Sequence, residues 1–351
     1  MGEAHRIRFE PVDIEIEATE DETVLDAAFR QGIMPLHGCK EGQCSSCKSF
    51  LLDGDLQMDR YSTFALADYE SEEGYVLLCR AHAYSDLDIE LINYDEDMLR
   101  AGLPVVTVTA RVEAIEALTH DISLLRVLVS GPDQLRFHPG QYVDIGIPGS
   151  PEHRSFSMAN LPNDRDSGLD FIIKRYPGGK FSGLLEGELS AGDPLEITGP
   201  YGTFTLRASS ERRLVFIGGG AGMAPILSVL RQIAAKGGFD REVVFYYGAR
   251  TEADLFLLDE MRALDRHIPN FRFVPCLSDT ADADWDALGV DGWSGTVTSV
   301  ADESEAALAE SDVYMCGPPP MIDAGLQVLE ARSVPQEQIF YDKFTVSAEA
   351  G

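Results

Sequence analysis

Six cysteines occur in the chain, and four of them are spaced for metal chemistry. His37-Gly-Cys39-Lys-Glu-Gly-Gln-Cys44-Ser-Ser-Cys47 sets three thiols in one short loop, and Leu77-Leu-Cys79-Arg80 supplies a fourth from farther along. The C-x4-C-x2-C…C pattern is a spacing at which four thiolates hold a 2Fe-2S centre, two on each iron. Gly38, Gly42, Ser45 and Ser46 are small enough for such a loop to wrap and turn its amide N–H groups toward electron-rich sulfur. Two other uses of cysteine fit less well. Structural zinc sites pair two short Cys/His hairpins, whereas Cys79 has no close companion. Disulfides need an oxidising compartment, and no basic segment followed by an apolar run and a cleavage site opens the chain, so a cytoplasmic protein is expected. His37 beside Cys39 suggests a centre with two histidine ligands, but all four cysteines are already present, which leaves His37 as a packing or hydrogen-bonding residue. The expected metal ligands are therefore Cys39, Cys44, Cys47 and Cys79, and the chemistry is the movement of single electrons.

Such a centre needs only a fraction of 351 residues, a length that suggests two to three domains. An apolar content of 44% is ample for buried cores. The longest uncharged run, from Leu214 to Leu230, is interrupted by Gly218, Gly219, Gly220, Gly222 and Pro225, so it reads as strand, turn and helix and not as a membrane span. A formal net charge of −31 disfavours nucleic acid and anionic membrane surfaces as partners, because the protein's field repels both. Residues 1–98 hold 23 Asp and Glu against 7 Lys and Arg, about half of the acidic excess. That asymmetry suits a solvated surface and equally an acidic docking face for a basic redox partner.

The elements that must position these residues follow from periodicity. Arg6 to Ile16 alternates as a strand hairpin, and a helix follows, capped by Asp21 or Thr23, with Val24, Leu25, Ala28 and Phe29 on its apolar face and Gly32 as its stop. Strands at Lys48 to Leu52, Tyr75 to Cys79 and Asp88 to Ile92 complete a small α+β domain over 1–96, with the cysteine loop at its rim. The acidic stretch from Tyr94 to Pro104 breaks the periodicity, and 97–104 reads as a linker. Closely spaced strands at Val105 to Ile115, Ile122 to Val129, Tyr142 to Ile147, Leu169 to Ile173 and Pro194 to Ile197 predict an antiparallel β-barrel over 105–208. From Leu214 strands alternate with helices, which predicts an α/β Rossmann-like domain over 209–351. Cys276 stands in a strand with no motif around it and reads as a buried structural thiol.

Several stretches resemble those of known families. Residues 1–96 resemble the plant-type ferredoxin domain. Arg154-Ser155-Phe156-Ser157 resembles the R-x-Y/F-S motif of ferredoxin-reductase-type flavin domains. The resemblance implies that Arg154 neutralises an FAD pyrophosphate, that Phe156 lies on the flavin, and that Ser157 hydrogen-bonds the isoalloxazine edge. In Lys174-Arg175-Tyr176-Pro-Gly178-Gly179-Lys180-Phe181-Ser182 a glycine turn leads into an expected helix start, whose amides and the Ser182 hydroxyl can hold the same pyrophosphate. Gly199-Pro-Tyr201-Gly202 ends the barrel as it does in that family. Gly218-Gly219-Gly220-Ala221-Gly222-Met-Ala-Pro225 resembles the family's G-G-G-T-G-x-A-P nucleotide turn, with Ala221 lacking the usual threonine hydroxyl. Arg250, after the next strand, can meet the adenosine half of the nucleotide or stand as a solvated loop arginine. Cys316-Gly317-Pro318-Pro-Pro-Met321 resembles the C-G-P-P-x-M turn, which implies that Cys316 positions nicotinamide against flavin without acting as a nucleophile. Phe344 matches the terminal aromatic residue that shields the flavin.

In module order the chain resembles the reductase components of multicomponent oxygenases, and within them those of soluble di-iron monooxygenases of the propane-oxidising type. The resemblance implies an NADH-dependent oxidoreductase with FAD and a 2Fe-2S cluster, a di-iron hydroxylase as partner, and a small regulatory protein beside it. The acidic Thr251-Glu-Ala-Asp254 segment suits NADH, since a ribose 2′-phosphate is unwelcome there. Reductases of Rieske-type ring-hydroxylating dioxygenases use the same modules, and a stand-alone NADH diaphorase needs no protein acceptor.

Overall fold

The structure is a computed structural model that describes residues 2–130, 135–162, 168–207, 209–237, 240–280 and 283–344. The alternation at the start of the chain forms antiparallel strands β1 (Ala4–Glu10) and β2 (Ile14–Thr19), with Ile7, Phe9, Ile14 and Ile16 buried and charged residues between them. Helix α1 (Val24–Arg30) starts at Thr23, whose hydroxyl accepts from Asp26 N–H at 3.1 Å, so Thr23 and not Asp21 is the cap. The helix stops before Gly32, which adopts φ +75°. There follow β3 (Lys48–Asp53), β4 (Leu56–Met58), α2 (Asp68–Glu73), β5 (Tyr75–Leu77), β6 (Ala81–Ala83) and β7 (Leu87–Leu91). The main sheet has the order β2-β1-β7-β3-β5, with β1 and β7 parallel and the other pairs antiparallel. The short strands β4 and β6 pair separately.

The segment expected as a linker over 97–104 is not a bare connection. Helix α3 (Glu96–Arg100) is capped by Asp95 and buries Met98 and Leu99, and Met34 N–H donates to Leu99 O at 3.2 Å. Two apolar side chains in five residues are enough to hold this acidic helix down. Residues 1–107 together with Thr198–Thr203 make one compact unit, and 108–197 with 204–351 make the other.

The second unit combines a barrel and a parallel sheet. Strands β8 (Val106–Ala117), β9 (Ile122–Ser130), β10 (Tyr142–Gly146), β11 (His153–Ser157), β12 (Gly168–Lys174) and β13 (Pro194–Tyr201) lie in the order β11-β10-β13-β8-β9-β12. A bridge between Met158 and Phe171 ties the two ends of this sheet together, which nearly closes the expected barrel. The expected helix at Ser182 is instead a five-residue 3-10 turn, Ser182–Glu186, ended by Gly187 at φ +127°.

The parallel sheet contains β14 (Arg213–Gly219), β15 (Val243–Ala249), β16 (Phe271–Leu277), β17 (Trp293–Ser294), β18 (Ser311–Gly317) and β19 (Ile339–Lys343), in the order β17-β16-β15-β14-β18-β19. Between them run α4 (Met223–Ala235), α5 (Leu258–His267), α6 (Trp285–Leu288), α7 (Val297–Ser304) and α8 (Pro319–Ala331). Strands buried on both faces read as continuous apolar runs, and β14 explains why: Leu214 and Phe216 join one core while Val215 and Ile217 join the other. Barrel residues Ile122, Ala159, Ile172 and Phe204 share a cluster with Met223, Leu227 and Tyr314, so the modules expected over 105–208 and 209–351 are built on a common core. Each fully buried Phe or Ile in it adds about 1.5–3 kcal/mol. The strand order reverses between β14 and β18, and in such sheets the crevice outside the carboxyl ends at that reversal is where ligands bind.

Candidate functional site

In the first unit the loop after α1 gathers the four predicted thiols as two touching pairs, Cys39 with Cys44 and Cys47 with Cys79. Cys39 N–H donates to Cys44 Sγ at 3.4 Å, and the amides of Glu41 and Gln43 donate to Cys39 Sγ at 3.4 and 3.2 Å. The Gly42 amide reaches the Cys79 sulfur. Ser46 Oγ lies 3.4 Å from Cys44 Sγ. The Cys39 side chain, Ser46 and backbone amides pull the Cys44 thiol down to about 5, and the Cys47 side chain lowers Cys79 in the same way, while the two partners are pushed up. Four sulfurs in two pairs, with amides aimed at anionic sulfur, fit the donor set of a 2Fe-2S cluster. Gly38 and Gly42 are needed for this wrap: a Cβ on Gly38 would lie 3.1 Å from Cys44 Sγ, and Gly42 has φ +69°.

His37 has both ring nitrogens engaged elsewhere. Its Nε2 accepts from Gly202 N–H at 3.1 Å, so Nδ1 carries the proton and donates to Pro35 O at 2.8 Å. The ring also packs edge-on against Phe29, Phe29 packs on Tyr201, and the Lys40 ammonium sits 3.4 Å from the centre of the Tyr201 ring. The loop is thereby fastened to the Thr198–Thr203 segment, a contact with no local signal in the sequence.

In the barrel, β11 presents Arg154, Phe156 and Ser157 in one strand. Arg154 Nη2 lies 3.1 Å and Lys180 Nζ 2.6 Å from the same carboxylate, Glu152, so the arginine of the one motif and the lysine of the other converge. Phe156 packs on Phe181 with centroids 4.9 Å apart. Ser157 Oγ is buried without a hydrogen-bond partner. An orphaned hydroxyl in that position fits a ligand that brings its own polar edge, as a flavin does. Gly178 (φ +74°) makes the following turn, but Ser182 Oγ accepts from Tyr176 N–H at 3.2 Å and closes the turn. A Cβ on Gly179 would stand 2.3 Å from Ser182 Oγ.

At the ends of β14 and β18 the nucleotide turn and the Cys316 turn meet. Gly218 pairs with Cys316, and Cys316 with Asp342 on β19. A Cβ on Gly222 would lie 2.0 Å from Cys316 O, and one on Gly219 would meet Met321 Sδ at 2.9 Å. The glycines are therefore set by close approach of two backbones, with Gly317 (φ +153°) and Pro318 leading into α8. Cys316 is fully buried; desolvation, and then the Asp342 carboxylate, hold its thiol well above the usual range, which suits a neutral positioning group. Burial also pushes the Asp342 carboxyl up to about 6. Phe344 N–H donates to Gly317 O at 2.9 Å and its ring packs against the shared core. Arg250 lies 3.1 Å from Asp254 and 3.7 Å from Asp121.

Two residues at this turn escaped the sequence reading. Lys174 runs past Gly220, its Cδ 4.0 Å from where a Cβ would stand, and its Nζ is held by Asp121 at 3.1 Å. Asp121 thus parks Lys174 and Arg250 together beside the glycine turn, and nothing in the spacing of Asp121, Lys174 and Arg250 announced it. Cys276 is wholly buried with its thiol raised to about 12 by desolvation, as expected of a structural cysteine.

Comparison with known proteins gives the families that these stretches of chain match. The 2Fe-2S iron-sulfur cluster binding domain family matches residues 7–84, the oxidoreductase FAD-binding domain family 109–206 and the oxidoreductase NAD-binding domain family 216–326. The chain is 54% identical over 346 residues to the reductase component of propane 2-monooxygenase from Mycolicibacterium goodii, covering 98% of each. It belongs to the reductase components of multicomponent oxygenases. The reductase is also 34% identical to the electron transfer component of toluate 1,2-dioxygenase from Pseudomonas putida, over 95% of each chain. Its fold matches the crystal structure of an Amycolatopsis cytochrome P450 reductase with a TM-score of 0.84 at 30% identity, over 98% of this chain and 100% of that one. It is an oxidoreductase with 2Fe-2S, FAD-binding and NAD-binding modules in that order. Among the described residues, no helix is long and apolar enough to cross a membrane.

The tight packing of Gly222 makes a direct test of the nucleotide turn. Gly222→Ala forces the turn away from Cys316, an overpacking cost of about 1–3 kcal/mol that here falls on the nicotinamide side. NADH-driven ferricyanide reduction is expected to lose about tenfold or more in kcat/KM with the FAD content unchanged. Unchanged kcat/KM would separate this turn from nucleotide binding.

Proposed function

We propose that this reductase supplies electrons from NADH to the hydroxylase of a di-iron monooxygenase of the propane-oxidising type, with a small regulatory protein in the same assembly, in the cytoplasm. The observation that carries this reading is the joining, in one chain 54% identical over 98% of its length to a propane 2-monooxygenase reductase, of a four-thiol loop, an orphaned buried hydroxyl on the flavin-motif strand and a glycine turn packed on Cys316. When bound, FAD takes up the electron pair of NADH and the cluster passes electrons on one at a time.

The chain's own residues bind and orient. Arg154 and Lys180 are drawn together for the FAD pyrophosphate, Phe156 and Phe181 offer an aromatic wall, and Ser157 holds its hydroxyl for the isoalloxazine edge. Gly218, Gly219, Gly220 and Gly222 open a path for the dinucleotide backbone beside Lys174 and Arg250, with Cys316 and Phe344 at the end where nicotinamide would meet flavin. For NADH over NADPH the support is Asp254: partial burial works against its charge, but Thr251 N–H and Arg250 keep its carboxyl below the usual range, so it stays anionic where a 2′-phosphate would fall. No acid or base from the protein is required.

The 34% likeness to a toluate dioxygenase component favours a second acceptor class, a ring-hydroxylating dioxygenase, less strongly than the 54% likeness favours the first. Anaerobic titration with NADH, followed by absorbance and electron paramagnetic resonance, is expected to bleach the flavin and then raise a reduced 2Fe-2S signal. Its absence in fully loaded protein would end the proposed route. Purified hydroxylase is expected to stimulate NADH oxidation.

A further inference from the structure

Beside the cysteine loop the fold leaves one large side chain without cover. Phe64 is 96% exposed, and Tyr69 nearby in the chain is 65% exposed. Burying such a ring is worth about 1.5–3 kcal/mol, so a Phe held wholly in water adds nothing to folding. Its backbone is firmly held. Ser62 N–H donates to Gly42 O at 2.9 Å, Ala65 and Leu66 N–H both donate to Ser62 O, and the side chains of Ala65 and Leu66 are fully buried. Tyr61 presses on the loop itself, since a Cβ on Gly42 would meet Tyr61 Cβ at 2.9 Å. The turn is thus seated on the stretch between Cys39 and Cys44, pointing two apolar residues inward and Phe64 out.

The charge around it is mostly acidic, with Arg80 turned back onto Asp59 at 3.3 Å. From Asp59 to Glu73 five Asp and Glu stand against a single Arg, and exposed Glu41 adds another carboxylate from the cysteine loop. The neighbouring base Lys48 is already matched by Glu70 at 2.7 Å. Helix α2 buries none of its residues and turns Asp68, Glu72 and Glu73 to solvent.

We propose that Phe64 is the anchor by which the first unit docks its electron acceptor, entering an apolar socket ringed by lysine and arginine on the hydroxylase. The inference rests on the electron-delivery function proposed above. An aromatic anchor within a charged rim is the usual division of labour at an interface, in which the ring supplies affinity and the rim supplies steering. An acidic rim selects a basic acceptor face, and steering of this kind weakens as salt rises.

The test uses the full reductase loaded with FAD and cluster, with the oxygenase component of the Mycolicibacterium smegmatis propane 2-monooxygenase as probe. Phe64→Ala is expected to raise the oxygenase concentration that half-saturates NADH oxidation by about tenfold or more. Ferricyanide reduction and the reduced-cluster signal are expected to stay unchanged, and Phe64→Trp to keep most of the affinity. Glu72→Lys with Glu73→Lys is expected to raise the same concentration and flatten its rise with salt. If the oxygenase stimulates wild type and Phe64→Ala equally, within about twofold, the docking inference is overturned and the electron-delivery function stands. If wild type itself is not stimulated, both fall.

Discussion

Cys79→Ser is expected to strip the protein of its reduced 2Fe-2S signal and of electron delivery to a hydroxylase, while NADH-driven reduction of ferricyanide continues near the wild-type rate. Cys79 is 4% exposed, lies just past β5, and touches Cys47 while receiving the Gly42 amide. A serine hydroxyl keeps the shape but does not ionise as a thiol does, so one iron loses an anionic ligand and the loop loses its link to the strand that delivers the fourth ligand. The flavin and nucleotide residues belong to a different compact unit with its own core, which is why their activity is expected to survive. Iron and sulfide content, electron paramagnetic resonance after anaerobic NADH, and the ferricyanide rate measure the three consequences. Equal loss of ferricyanide and hydroxylase activity would mean that the two units do not hold their cofactors independently.

The second large effect is on stability. Glu305, at the C-terminal end of α7 and 3% exposed, accepts from Arg213 Nη1 at 2.6 Å, Arg272 Nη2 at 2.6 Å and the Tyr246 hydroxyl at 2.5 Å. Desolvation, and then the Glu305 carboxylate, keep the Tyr246 phenol protonated well above its usual range, so it remains a donor. Arg213 is the more buried of the two bases, with its side chain 15% exposed against 45% for Arg272. Removing the carboxylate leaves that guanidinium with only the half-exposed Glu242, 3.1 Å away, as its counter-charge, a loss of about 3 kcal/mol. Glu305→Ala is therefore expected to lower Tm by roughly 10 °C, at 2–4 °C for each kcal/mol. Because barrel and sheet share a core, flavin release is expected to follow the same transition. A Tm within about 1 °C of wild type would show that the network contributes little net stability.

Legibility followed the range of the physics involved. The loop from Cys39 to Cys47 could be read directly, because three thiols brought together in one tight turn leave their spacing in the sequence. The glycines at 218–222 could be read for the same reason, although only the structure shows that Gly222 is demanded by the Cys316 carbonyl at 2.0 Å. The expected helix at Ser182 failed because Gly183 and Gly187 let the chain leave after a single 3-10 turn. The acidic stretch read as a linker concealed Met98 and Leu99, too few apolar residues for a periodic signal and sufficient for burial.

Taken by itself, the sequence determined the kinds of module and their order, iron-sulfur, FAD-binding and NAD-binding, each legible from a few neighbouring residues. The tertiary structure decided which distant groups serve them. His37 accepts a hydrogen bond from Gly202, Arg154 and Lys180 meet on Glu152, Lys174 and Arg250 meet on Asp121, and Glu305 gathers Arg213, Arg272 and Tyr246. Apart from Arg154 on Glu152, these are contacts between residues far apart in the chain, set by the path of the backbone and the packing of side chains, and local spacing carries no record of either.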